Sequence, residues 1–298
     1  MRKIKIVTDS MTDLPQKQIN QYGIEVLPLT IIFGDQEYRD GIDLSNRAFY
    51  EKLKRSEVLP RTSQISPGDF ANAFQKYIKE DYEIICITAS SKASGTHQSA
   101  VIACNDVDAE RISVIDTMSL SFGAGLSVLK AVRMAEQGHE RQTIVKALEK
   151  SAPRVDHLFT VDTVEFLQKG GRINPGKALV ANLLNIKPIL TLKDGLVDPL
   201  DKVRGSKRVM DKMLELAVFR SGNFSDKTVG ISHADAPERA EELYSKVKKE
   251  LKPAEILISE IGCTIGTHTG PGTLAMFYST EAKNPVYEGD LKINQSGR

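Results

Sequence analysis

Four short segments concentrate hydroxyl and imidazole groups: Thr8-Asp9-Ser10, Thr62-Ser63-Gln64, Ser90-Ser91 with Ser94-Gly95-Thr96, and Thr267-His268-Thr269-Gly270. Each follows a strand-like run or precedes a helix-like one. There an open parallel sheet forms its ligand crevice, and helix N-termini offer free N–H groups to an anion. A carboxylate or a phosphate suits such turns. For any one of them helix capping is the commoner explanation, since Ser and Thr at helix starts usually do no more than satisfy orphan N–H groups, but several in one chain point towards a site. In GTHTGPGT (266–273), His268 is followed by Gly270-Pro271-Gly272, where the backbone can approach a ligand closely. Asp9 and Asp13 form either an acid/base pair or a cap and an Asx-turn before Pro15. Gly170-Gly171-Arg172 is a phosphate grip, a partner-facing loop, or a glycine helix stop with a solvated arginine. Asp40 and Arg204 either pair near the site or are surface charges.

Other chemistries are excluded by spacing. The five histidines, at 97, 139, 157, 233 and 268, never approach zinc-ligand spacing with the cysteines or one another, so no metal site is expected. There is no GxxxxGK[ST], and Ser94 sits in KASGT rather than GxSxG, which removes a P-loop and a hydrolase elbow. Lys plus Arg number 40 against 39 for Asp plus Glu, leaving +1 and no global field to draw the chain to nucleic acid or an acidic membrane. Three widely spaced cysteines, Cys86, Cys104 and Cys263, fit a reducing compartment, and the chain is expected to be cytoplasmic. No run approaches the 18 or so apolar residues of a membrane span, so no stable membrane insertion is expected.

The elements that must position these groups follow an α/β pattern. Strand-like runs IKIVTDS (4–10), IEVLPLTIIFG (24–34), EIICITAS (83–90) and RISVIDT (111–117) alternate with helix-period segments, one opening at Ser66-Pro67. Strands apolar on both faces are best satisfied by a mostly parallel sheet covered by helices. Ser151-Ala152-Pro153 marks a seam, since the proline disfavours helix continuation. Beyond it, DHLFTVDT (156–163), KPILTL (187–192), TVGISH (228–233) and AEILISEIG (254–262) supply further strands. The Asp-Gly of KDGLVDPL (193–200) signals a hairpin, so this half mixes pairing directions. The expected organisation is two α/β domains, 1–153 and 154–280. Residues 281–298, aperiodic and charged, are expected to be a flexible tail.

In order and spacing, VTDSMTDLP (7–15), LPL (27–29), TSQISPGDF (62–70), SSKASGTHQSA (90–100), DTMSLSFGAG (116–125), LQKGGRI (167–173), IKPIL (186–190) and IGTHTGPGT (265–273) resemble the DegV family of bacterial fatty-acid-binding proteins, over about residues 1–280. The resemblance implies two α/β domains with a fatty acid between them, its acyl chain in an apolar tunnel. It implies a carboxylate bound by Thr62, Ser63, Ser94, Thr267 and His268, with Asp40 and Arg204 as a supporting network. It further implies a lipid-binding protein with no catalytic residue and no cofactor, carrying a C14–C18 acid. That acid is presented to a fatty acid kinase, which forms the acyl phosphate, and Arg172 is the candidate for contact with the kinase. Ile65, Ala93, His97 and Ala275 depart from the usual pattern, which bears on tunnel shape and acyl preference.

The residues alone leave two other functions open. One is a stand-alone enzyme acting on a phosphorylated or carboxylated metabolite, with His268 as acid/base and Asp9 or Asp116 as its partner. The other is a regulatory or interaction module with a vestigial pocket.

Overall fold

The computed structural model describes residues 2–174 and 186–280; the tail expected at 281–298 lies outside the described residues. From the N-terminus the elements are β1 (Ile4–Asp9), α1 (Gln16–Tyr22), β2 (Glu25–Leu27), β3 (Thr30–Phe33), β4 (Gln36–Arg39), α2 (Asn46–Arg55), β5 (Arg61–Ser63), α3 (Pro67–Lys79), β6 (Glu83–Thr88), α4 (Thr96–Val107), β7 (Ile112–Asp116), α5 (Phe122–Glu136) and α6 (Arg141–Ser151). Strands β2-β1-β6-β7 form a parallel sheet whose central members, β1 and β6, are largely buried. Helices α3 and α4 lie on one side, α5 and α6 on the other.

The run at 24–34 is two strands rather than the single one its sequence suggests. Pro28 has no N–H to continue the ladder. The chain leaves the parallel sheet after Leu27 and re-forms as β3, antiparallel to β4 and β5 in a separate small sheet. This break places the Thr62-Ser63 pair on a sheet edge rather than in a free turn.

The remaining elements are β8 (Val155–Thr160), α7 (Glu165–Gly170), β9 (Ile186–Lys193), β10 (Leu196–Arg204), α8 (Val209–Ser221), β11 (Thr228–His233), α9 (Pro237–Glu250), β12 (Glu255–Glu260), α10 (Cys263–Thr269) and β13 (Leu274–Ser279). They build a mixed sheet in the order β10-β9-β8-β13-β11-β12, with α8 and α9 packed on one face. Asp194 and Gly195, both at positive φ, turn the β9–β10 hairpin as the Asp-Gly signal predicts. The chain is thus α/β, with a helix-flanked parallel sheet followed by a mixed one. Pro153 lies in the turn between α6 and β8, where one sheet's elements end and the other's begin.

Helix α5 lies between the two sheets, touching β1 and β6 on one side and β8, β11 and β13 on the other. Its FGAG start is small for a reason: a Cβ on Gly123 would overlap the His157 imidazole. One apolar cluster consequently runs through both halves, from Ile6, Ile85 and Ile87 through Phe122 and Val128 to Phe159 and Phe277.

Candidate functional site

A cavity of about 420 Å³ opens where the carboxyl ends of β1, β6 and β7 face β8, β9 and β13, within the size range of small-molecule sites. One end is polar. Thr62 Oγ1 lies 3.0 Å from His268 Nε2. The His268 ring lies against Gly170, whose carbonyl accepts from Arg172 Nη1 at 2.6 Å. Arg172 Nε donates to the Ala93 carbonyl at 3.1 Å, immediately before Ser94. Ser94 Oγ is 2.9 Å from Thr96 Oγ1 at the start of α4, where the helix dipole favours negative charge. Gln64 closes the ring against Gly95. Four of the five residues expected at the carboxylate therefore line the cavity: Thr62, Ser63, Ser94 and His268. Asp40 reaches it through α10, and Arg172, read as a partner-facing residue, is half-buried in the cavity wall.

Two predicted residues do not join them. Thr267 is buried but does not line the cavity; its hydroxyl donates to the Cys263 carbonyl at 2.9 Å. GTHTGPGT is not the open loop its composition suggests, because its first half is the end of α10. On a helix, residues three and four apart share a face, so Thr264, Ile265, His268 and Thr269 make up the face that lines the cavity, and Thr267 lies off it. Arg204 is exposed at the far end of β10, seven residues beyond the cavity-lining Val197, roughly 20 Å at ~3.3 Å per residue. It does not pair with Asp40.

Asp40 instead anchors α10. Its carboxylate accepts from Cys263 N and Thr264 N at 3.2 Å each and from Thr264 Oγ1 at 2.6 Å. Asp13 adds a bond from Gly262 N at 2.9 Å and one from Ser121 Oγ at 2.5 Å. Two buried carboxylates thus satisfy the orphan N–H groups of the helix that carries His268. Asp9 accepts from Met11 N at 3.0 Å and Ala89 N at 2.9 Å, and burial raises its pKa to about 7.

The acid/base dyad of the enzyme reading is not assembled. Asp9 is committed to two backbone amides, and Asp116 accepts from Ser91 N and Met118 N. His268 is bonded to Thr62 instead. Burial, and then the charge of Arg172, lower the His268 pKa to about 4, so the imidazole is neutral at physiological pH. Its Nδ1 is buried without a hydrogen-bond partner among the described residues.

The other end is apolar. Met11, Leu29 and Leu120 come from the parallel-sheet side, and Phe159, Ala275 and Phe277 from β8 and β13. Leu192 and Val197 of the hairpin cover one flank. Its tip is held by Ser90 Oγ donating to Gly195 O at 2.8 Å. His157, which spacing considers only for metal binding, also lines this end; Ser119 Oγ lies 2.7 Å from its Nε2, and burial lowers its pKa to about 3. Its alternation with Phe159 on one strand was the available signal.

Among the described residues, no group of three or more His, Cys, Asp or Glu side chains could hold a metal, and no helix is long and apolar enough to cross a membrane. The model of an uncharacterised protein family, DegV, matches residues 3–281. The chain belongs to the DegV family. A DegV domain-containing protein of Caldanaerobacter subterraneus is 39% identical over 278 residues, covering 93% of this chain and 99% of the relative. A fatty-acid-binding DegV family protein from Thermus thermophilus superposes with a TM-score of 0.87 at 33% identity, covering 94% of this chain and 100% of that one. DegV of Bacillus subtilis, a fatty acid binding protein, gives 0.85 at 30% identity, with 94% and 100% covered. DegV neighbours of this fold therefore bind fatty acids.

Proposed function

We propose that this protein binds a long-chain fatty acid between two α/β domains, 1–153 and 154–280, and presents its carboxylate to a fatty acid kinase. The observation that carries this reading is the division of one cavity into a hydroxyl and imidazole end and an apolar end. Burying a sixteen-carbon tail at ~0.8 kcal/mol per CH₂ supplies roughly 12 kcal/mol before the costs of association. The tail provides affinity and the polar end sets orientation.

A buried carboxylate is costly unless it accepts hydrogen bonds, which contribute about 1.5–3 kcal/mol each to a charged acceptor. In the Nε2–H tautomer His268 donates to Thr62 Oγ1 and leaves the Thr62 proton for the ligand; Ser63 and Ser94 supply further donors. The positive end of α4 and the nearby Arg172 favour the anion. Neutral hydroxyls hold it without the bidentate grip of an arginine, which leaves an oxygen open to phosphorylation. Arg172, at the polar end, is where an arriving kinase would make contact.

Mass analysis of an organic extract from natively purified protein tests the binding, with a near-stoichiometric C14–C18 acid expected. For presentation, Ser94→Ala and His268→Ala should each lower acyl-phosphate yield with a fatty acid kinase. Empty protein, or unchanged yield in both variants, would overturn the respective half of the proposal.

A further inference from the structure

We propose that the rung formed by His157 on β8 and Phe277 on β13 closes the deep end of the cavity and sets the longest acyl chain accepted, with Ala275 setting the width one rung above. This rests on the fatty-acid reading and specifies its substrate range.

Successive side chains on a strand alternate between faces. On the cavity face Phe159 and His157 of β8 line the space, but the next position, Val155, does not; on β13 Ala275 and Phe277 line it, but Ser279 does not. These residues pair directly across the ladder, Ala275 with Phe159 and Phe277 with His157. The cavity therefore ends at the second pair. There the two rings meet edge to face, with centroids 5.3 Å apart and planes at 89°.

The rung has nowhere to retreat. His157 Nε2 is 2.7 Å from Ser119 Oγ, and Gly123 of α5 is pressed against the imidazole so closely that a Cβ would not fit. Phe277 is 2% exposed. A neutral imidazole edge and a phenyl ring make a surface suited to a terminal methyl group. Ala275 is the smallest side chain on this wall, so the space before it belongs to the ligand. Each methylene buried or excluded changes affinity about fourfold, enough for a fixed floor to discriminate neighbouring chain lengths.

The test is competitive displacement of a fluorescent fatty acid from the full-length protein by saturated acids from lauric to arachidic. Phe277→Leu lowers the floor and should move the tightest-binding acid about two carbons longer; Ala275→Leu fills the wall and should move it shorter, weakening long acids by tenfold or more. Ala275→Val, a smaller intrusion, should give an intermediate shift if the leucine variant does not fold. Variants that bind with the wild-type length preference would overturn the floor while leaving fatty-acid binding intact. A wild-type protein that binds none of the series would overturn both.

Discussion

His268 Nε2, on α10, lies 3.0 Å from Thr62 Oγ1, on the edge strand β5, a contact between residues 206 positions apart. It joins the mixed-sheet half to the small antiparallel sheet at the polar end of the cavity. Thr62→Val keeps the shape and removes the hydroxyl. Fatty-acid affinity should fall about tenfold to a hundredfold, the equivalent of one hydrogen bond to a charged acceptor. Displacement titration reads this directly, and unchanged affinity would remove Thr62 from the site.

The low pKa of His268 has a defined sign. Its folded value of about 4 lies below the ordinary 6.5. The unfolded chain therefore takes up the proton first, and stability is lost as pH falls from about 6.5 to about 4. Asp9, with its folded pKa raised from 3.8 to about 7, acts oppositely, contributing stability fully below 3.8 that is lost as pH rises through 7. Comparison with His268→Gln isolates the histidine: wild type should lose on the order of 3 kcal/mol relative to the variant across that window. Parallel denaturation midpoints across the window would contradict it.

Asp40→Asn should loosen α10. The amide keeps one acceptor oxygen, and its NH₂ replaces the other, so it faces either Cys263 N or Thr264 N, both of which are donors. The expected loss is about 1.5–3 kcal/mol of stability, read in chemical denaturation, together with weaker fatty-acid binding because His268 rides on that helix. Wild-type stability would show that Asp40 does not anchor α10.

At the hairpin tip Gly195 has φ +79°, and a Cβ there would overlap Ser90 Oγ. Gly195→Ala should separate the hairpin carrying Leu192 and Val197 from the parallel-sheet side, costing about 1–3 kcal/mol of stability. Faster release of bound fatty acid to acceptor vesicles is the expected result. Wild-type release would mean that the tip does not cover the ligand.

The alternation of β-branched runs with helical stripes was enough to read the α/β class, and the Asp-Gly turn was legible because one dipeptide dictates its φ values. The seven-residue α10 was not. Its one glycine and three threonines are poor helix formers, and its first N–H groups are satisfied by Asp13 and Asp40 from more than 200 positions away. No local window contains that information, so Thr267 was read as a neighbour of His268 in a loop rather than as a residue on another face. Strand β13 was missed for a related reason: LAMFYS is a short apolar run whose place between β8 and β11 is set by the sheet. In the sequence Asp40 and Arg204 are two charges that either pair near the site or stay on the surface; only the course of β10, which carries Arg204 seven residues beyond the cavity-lining Val197, decides between the two.

The most direct measurement is a crystal structure of the protein with palmitate. Binding at the assigned site puts the carboxylate within hydrogen-bond distance of Thr62 and Ser94 and runs the tail between Leu120 and Phe159 towards Phe277. A cavity left empty at saturating palmitate, or an acid bound with its carboxylate at the Phe277 end, would contradict the reading.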